Sequence, residues 1–280
     1  MISYIKINDD GEVKYMTIDE KIEILESREY FVVKGNELIQ KSRYDLSLPE
    51  LKTVSYICSM IKPATPETRS KYYPDNPWQL DYEFNIRDYC KICGIVLDSG
   101  KNYADVKAVL KKLSDRSMWL DTGNEEILVR WLSKAKINKK SGKVKIEIDR
   151  DLAPYLFDLK EKFTQYQLFN ILAMKSAFSV RIYELMKSYA FQKFKIFELD
   201  ELKRLLMVEN VKSYERFPSF RQKVLEKAQE EINELTDINI SFETITKGRK
   251  VVKIMFLIEE KSENKKAMAS MEVNKRLGEL

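Results

Sequence analysis

Residues 216–258 read RFPSFRQKVLEKAQEEINELTDINISFETITKGRKVVKIMFLI, and this stretch decides the fold. Phe220, Val224, Ala228, Ile232 and Leu235 recur at helical spacing, so one long helix runs from about Pro218 to Leu235. Ile238, Ile240 and Phe242 then alternate, Lys247-Gly248 turns the chain, and Val252, Ile254, Phe256 and Ile258 alternate back. That is a β-hairpin laid directly after a helix.

Working outward, the same order of elements occurs twice. Upstream of the long helix, the pattern gives helices over about Gln165 to Met174 and Ser176 to Tyr189, a short strand at Phe194 and Ile196, and a short helix from Leu199 to Leu206. In the first half, Leu48-Pro49-Glu50 opens a helix with proline in its first turn. Leu51, Val54, Ile57, Cys58 and Ile61 continue it, and Pro63 and Pro66 end it. Leu80, Tyr82, Phe84 and Ile86 alternate as a strand, Ile86 to Cys93 is a short helix stopped by Gly94, and Asn102 reads as the N-cap of the next helix. Its apolar face is Val106, Val109, Leu110 and Leu113, and alternating segments follow to Ile148.

A short helix, a turn, a second helix and a two-stranded wing form the winged variant of helix-turn-helix. The fold class is therefore α+β, with two tandem winged-helix domains. A pair of small α+β modules that read no groove has the same order of elements and stays open on order alone. The expected boundaries are an acidic, loose N-terminal segment at 1–29, a first domain at 30–152, a second at 153–260, and a polar tail at 261–280.

Composition narrows the chemistry. The 280 residues include no histidine. Ser-His-Asp and Cys-His catalysis, His-ligated zinc and two-His metal sites cannot be built from them. Eight glycines and seven prolines leave little material for phosphate-cradling loops. Three sparse cysteines, Cys58, Cys90 and Cys93, fit a reducing compartment. With no leader pattern at Met1-Ile2-Ser3-Tyr4 and no apolar run of membrane length, the expected location is the cytoplasm, with no membrane partner.

The net charge of +5 hides an asymmetry. Residues 1–40 carry 5 basic and 9 acidic side chains, so the rest of the chain is +9. A basic body suits a polyanion. Arg216, Arg221, Lys223 and Lys227 lie before or within the first half of the long helix; Glu226, Glu230, Glu231 and Glu234 lie in its second half. The helix dipole prefers the reverse, by about 0.3–1 kcal/mol per charge. The order makes sense if an external anion meets the N-terminal half, where recognition helices touch base edges and backbone. Pairing of Arg221 and Lys223 with nearby acids is the competing reading.

The hairpin tip Lys247-Gly248-Arg249-Lys250 would reach phosphates beside the groove. The first module's helix bears Lys101, Asn102, Tyr103, Lys107, Lys111, Lys112 and Arg116, with its bases toward the C-terminus as the dipole prefers. It demands no anion and is assigned mostly backbone contacts. Its following loop carries Lys134, Lys136, Lys139, Lys140 and Lys143, which fits either a phosphate contact or a solvated loop.

Other signals lead nowhere. Cys90-Lys91-Ile92-Cys93 has no second pair and reads as core thiols. Gly94 to Gly100-Lys101 has the wrong spacing for a phosphate loop, and Asn102 stands where Ser or Thr is needed. Fifteen tyrosines offer nucleophiles for strand nicking, but such enzymes lean on histidine. Ser42 near Asp45 has no base. No metal and no cofactor are expected.

Several motifs have a familiar order: Tyr44-Asp45-Leu46-Ser47-Leu48-Pro49-Glu50-Leu51, Phe163-Thr164-Gln165-Tyr166, Lys175-Ser176, Arg181-Ile182-Tyr183-Glu184-Leu185-Met186-Lys187, Ala228-Gln229-Glu230-Glu231-Ile232, Thr236-Asp237-Ile238 and Lys247-Gly248-Arg249-Lys250-Val251. Together they resemble the replication initiator (Rep) proteins of iteron-containing, theta-replicating plasmids, over about residues 30–258. The resemblance implies two winged helices related by duplication. It implies a C-terminal module that reads the major groove of repeated origin sites, and an N-terminal module that contacts the backbone and mediates dimerisation. It implies monomers on iterons, dimers repressing the protein's own promoter, origin melting, and recruitment of the host initiator and replicative helicase, with no catalysis. It places Arg216, Ser219, Arg221, Lys223 and Lys227 toward the groove and Lys247, Arg249 and Lys250 on the wing. A winged-helix repressor without a replication role and a tyrosine-dependent nicking enzyme are the alternatives.

Overall fold

The structure, a computed structural model, describes residues 6–7, 13–14, 17–61, 78–121, 124–157, 159 and 162–278. Strands β1 (Lys6–Ile7) and β2 (Val13–Lys14) pair antiparallel. Helix α1 (Ile18–Glu29) follows. Thr17 Oγ1 accepts from the Glu20 amide at 3.1 Å, and the Thr17 amide donates to the Glu20 carboxylate at 3.0 Å. This capping box fixes the start of the helix. The acidic lead is thus not loose up to residue 29, because Ile24 and Arg28 are buried. Arg28 donates to the carbonyls of Ile92 at 2.8 Å and Lys91 at 3.2 Å.

The first repeat runs β3 (Phe31–Gly35), α2 (Asn36–Gln40), α3 (Leu48–Met60), β4 (Asp81–Asn85), α4 (Ile86–Ile92) and α5 (Ser99–Asp115). It closes with β5 (Ser117–Asp121), β6 (Glu126–Arg130), β7 (Leu132–Ile137) and β8 (Lys143–Ile148). Pro63 and Pro66, expected to end α3, lie outside the described residues. The N-cap of α5 is Asp98, whose side chain accepts from the Lys101 amide at 3.2 Å. Asn102 is therefore inside the helix and not its cap. Its buried side chain accepts from the Asp98 amide at 2.6 Å and donates to the Val96 carbonyl at 3.1 Å, holding the loop onto the helix.

After α6 (Pro154–Phe157) the second repeat runs β9 (Phe163–Gln167), α7 (Phe169–Leu172), α8 (Ala177–Ser188), β10 (Phe194–Glu198), α9 (Leu199–Leu205) and α10 (Lys212–Glu215). A continuous helical backbone over 217–235 follows. It comprises α11 (Phe217–Phe220), a π-helical turn at Arg221–Glu226, and α12 (Lys227–Leu235). The hairpin is β11 (Ile238–Lys247) and β12 (Lys250–Glu260), turning at Gly248 with φ of 63°. The helix expected from Gln165 to Met174 forms only over Phe169–Leu172, and its first residues belong to strand β9, Phe163–Gln167. Thr164 and Tyr166 are buried while Phe163 is exposed, a period of two, and the segment is a strand paired with β3. Nor is 261–280 a polar tail throughout. Residues Glu263–Arg276 form α13, which packs on α12 and α7 through buried Ala269 and Val273.

The two repeats have one topology. The first forms a sheet of order β4-β8-β7 and the second a sheet of order β10-β12-β11, both antiparallel; β5-β6 is an extra hairpin in the first. Their opening strands, β3 and β9, pair with each other, Val33 opposite Gln165. The joint therefore belongs to both repeats, and a continuous apolar core crosses it.

A buried polar cluster sits at this joint. Lys34 of β3 bonds Glu184 of α8 at 2.6 Å, Tyr166 of β9 donates to Glu184 at 2.7 Å, and Arg181 reaches Glu184 at 3.2 Å. The Arg181 guanidinium also lies 4.1 Å from the centre of the Tyr44 ring. Burial would raise the Glu184 carboxyl, but the charges of Lys34 and Arg181 hold it below its usual value. Among the described residues, no helix is long and apolar enough to cross a membrane.

Candidate nucleic-acid interface

The helix over 217–235 buries Phe220, Val224, Leu225, Ala228, Ile232 and Leu235 against the sheet and α8. That face fixes which residues look outward. Arg216, Arg221, Lys223 and Lys227 are exposed and Ser219 is half-buried. The π-helical turn has a direct consequence here. With i→i+5 hydrogen bonding, residues five apart become neighbours, and Arg221 Nε bonds Glu226 Oε1 at 2.8 Å. Arg221 is thus paired with a nearby acid, as one reading of the sequence had it. Its guanidinium also lies 5.8 Å from the Phe242 ring of β11, which sets the helix's cationic half beside the base of the wing. Lys223 and Lys227 make no ion pair among the described residues.

Two acids of the second half, Glu231 and Glu234, have internal uses. Glu231 is buried, and its carboxylate accepts from the amides of Lys175 at 3.1 Å and Ser176 at 3.3 Å. Those amides lead into α8, so Glu231 places a negative charge at that helix's positive end. Glu234 pairs with Arg276 of α13. The C-terminal carbonyls of α12 are answered by buried Lys261, which donates to Asn233 at 2.6 Å and Thr236 at 2.7 Å. Half of the unusual charge order is therefore explained by packing. At the other end Arg221 is held by Glu226, while exposed Lys223 and Lys227 have no comparable internal role among the described residues.

On the wing, Lys247 and Lys250 face each other across the last pair of the ladder, with Gly248 and Arg249 between them. All three cations are exposed, and none makes an ion pair among the described residues. The ladder shifts register between Ile245 and Thr246, an irregularity that adds twist below the tip.

The first module's helix is arranged differently. Lys101 and Lys107 are exposed, but Lys111 pairs with Asp115. Lys112 and Arg116 approach buried Glu50 at 3.8 and 3.4 Å. Tyr103 is half-buried against the core, and Asn102 is occupied as described, so neither stands free toward a groove. Of the lysine-rich hairpin, Lys143 and Lys145 both bond Glu83 of β4, whose carboxyl these hydrogen bonds hold below its usual value. Lys134, Lys136, Lys139 and Lys140 remain exposed.

The cysteines are all buried and free, Cys90 and Cys93 as the pattern of the short helix suggested, and Cys58 on the buried side of α3. Burial pushes the Cys58 and Cys90 thiols up to about 11 and Cys93 up to about 12. Tyr44, Tyr56, Tyr89, Tyr166 and Tyr183 are buried too, and burial raises each phenol above its ordinary value. None of these five is activated as a nucleophile.

Comparison with known proteins gives a consistent family. The family model described as "Initiator Replication protein, WH1" matches residues 31–187, and "Initiator Rep protein, WH2" matches residues 198–258. The chain is 28% identical over 243 residues to a "Replication initiation protein" of Escherichia coli, covering 82% of this chain and 70% of that protein. It is 30% identical over 146 residues to the "PI protein" of Escherichia coli, covering 46% of this chain and 47% of that relative. Among solved structures, the Pi initiator protein in complex with iteron DNA superposes with a TM-score of 0.65 at 22% identity, covering 84% of this chain and 99% of that one. The fold is shared with that structure: two winged helices in tandem.

Proposed function

The chain belongs to the replication initiator family, whose two winged-helix models span most of it, and on that premise we propose that it binds repeated duplex sites at a plasmid origin. The second module presents the N-terminal half of the 217–235 helix to the major groove, with Arg216, Ser219, Arg221, Lys223 and Lys227 along it. Lys247, Arg249 and Lys250 of the wing contact phosphates alongside. The first module adds backbone contacts from Lys101 and Lys107, and Asn102 acts only by shaping the loop ahead of α5. The observation that carries this reading is the exposed cationic end of that helix, set beside the wing by the Arg221–Phe242 contact.

In this reading the bound protein favours melting of adjacent DNA and recruits the host initiator and replicative helicase. It exchanges between monomer and homodimer, the dimer acting on its own promoter. The modules divide near the link between Ile148 and Phe163, and no chemical step is asked of the chain. Relatives bear the names replication initiation protein and Pi initiator, and the latter is bound to iteron DNA. Nuclease footprinting on the DNA flanking the gene tests the proposal. Protection should recur over direct repeats of about 20 base pairs, two helical turns. Protection of a single promoter palindrome and no repeats would favour an ordinary repressor.

A further inference from the structure

The sheet β10-β12-β11 has two faces, and only one is covered. Phe197, Ile240, Ile254, Phe256 and Ile258 point inward and are buried. The register fixes what points the other way. Phe194 lies opposite Leu257, and Ile196 opposite Met255. An antiparallel sheet with one solvated face normally alternates apolar-in with polar-out. Here the outward face is apolar: Phe194 is 50%, Leu257 41% and Ile196 39% exposed. Phe191, in the turn that leads into β10, is 76% exposed. Contiguous apolar surface rimmed by polar residues marks an interaction site.

The rim selects the occupant. On β11, Glu243 lies opposite Met255, and on β12, Glu259 follows Leu257 on the same face. Neither carboxylate makes an ion pair among the described residues, while Glu198 and Lys253, next along the same face after Ile196 and Met255, neutralise each other at 2.7 Å. The face therefore carries uncompensated negative charge beside its apolar block. Such a rim repels DNA phosphates and anionic lipid surfaces. It also sets glutamates against glutamates if two copies stack this face on itself. Cations are the complement.

We propose that this outward face docks a lysine- or arginine-flanked amphipathic segment of another protein. The helix over 217–235 packs on the opposite side of β11, so the docking face and the helix's exposed cations look different ways. The module can hold a protein on one side of its sheet while its reading helix stays uncovered. The inference does not depend on which ligand that helix takes.

The test uses the full chain, isotopically labelled for NMR, and a short helical peptide of leucine and lysine as the probe. Its leucine–glutamate counterpart is the control. The lysine peptide should shift amides along β10, β12 and β11, and the glutamate peptide should not. Leu257→Lys should weaken binding about ten-fold, and the pair Glu243→Lys/Glu259→Lys by a similar factor, with melting temperatures unchanged. Met255→Lys stands in if Leu257→Lys fails to fold. Equal binding by wild type and both variants would overturn the proposal, as would shifts centred on another surface. Concentration-dependent self-association of the wild type that Leu257→Lys abolishes would also overturn it, assigning the face to a second copy.

Discussion

Helix α5 and the helix over 217–235 hold equivalent places in the two repeats, and their charges are used in opposite ways. On α5 the bases gather at the C-terminal end and are answered within the first module: Lys111 by Asp115, Lys112 and Arg116 by Glu50. On the second helix the internally used set is the acids Glu231 and Glu234, and of the cations Arg221 is held by Glu226. Glu231 sits at the start of α8 and Glu234 on Arg276, while Lys223 and Lys227 stand exposed. An ion pair satisfied at home has little left for a ligand. A cation set against the dipole of its own helix is relieved by an incoming anion. The two modules have one topology and different electrostatics, a difference that supports our proposal that the second reads bases and the first adds supporting contacts.

The joint that fixes the modules relative to each other offers the largest effect. Glu184→Ala leaves Lys34 and Arg181 buried without a counter-charge, and should cost about 3–5 kcal/mol in urea unfolding. Because its carboxyl is held below the ordinary value, Glu184 contributes stability that is present above the unfolded pKa of about 4.3 and lost as pH falls through the folded value. Acid unfolding of the wild type should follow that direction, and the Glu184→Ala variant should show a flatter profile. Next in size, Arg221→Ala should weaken binding to a specific duplex by about 1–3 kcal/mol and relax preference at one base position. The Glu226 pair makes this a demanding case. An equal loss on random duplex would reduce Arg221 to a phosphate contact.

Glu231→Ala isolates the other half of the comparison. It should lower stability by about 1.5–3 kcal/mol, the worth of hydrogen bonds to a charged group, and leave duplex affinity within two-fold. A large loss of affinity with unchanged stability would place Glu231 in the interface and undo the separation of roles. Smallest, Lys250→Ala should weaken all sequences alike and reduce the salt slope by about 1. An unchanged slope would remove the wing from the interface.

Much of this was legible in the residues. The spacing of Phe220, Val224, Ala228, Ile232 and Leu235 placed the helix over 217–235, and the alternation from Ile238 to Ile258 placed the wing hairpin. Strand β9 was not legible, because Phe163–Gln167 is a strand only by virtue of its partner β3 in the other repeat. Helix α13 buries so little, chiefly Ala269 and Val273, that its sequence looks like a solvated tail. Thr17 and Glu20 did carry a signal, a capping-box spacing that marks the start of α1. Asn102 has the residue type of a cap, but Asp98 four residues earlier took that position. The exposed cations were readable from charge order alone. The internal use of the acids was not, since the partners of Glu231 are backbone amides whose position depends on the assembled fold.

The most direct test of the division between modules is a specificity ratio: affinity for a duplex carrying the footprinted repeat over affinity for a scrambled duplex, at fixed salt. It is measured for wild type, for Arg221→Ala/Lys223→Ala and for Lys101→Ala/Lys107→Ala. The second-module pair should lower the ratio at least about ten-fold, one lost bidentate contact's worth. The first-module pair should weaken both duplexes together and leave the ratio unchanged. A ratio that falls for Lys101→Ala/Lys107→Ala and holds for Arg221→Ala/Lys223→Ala would contradict the account.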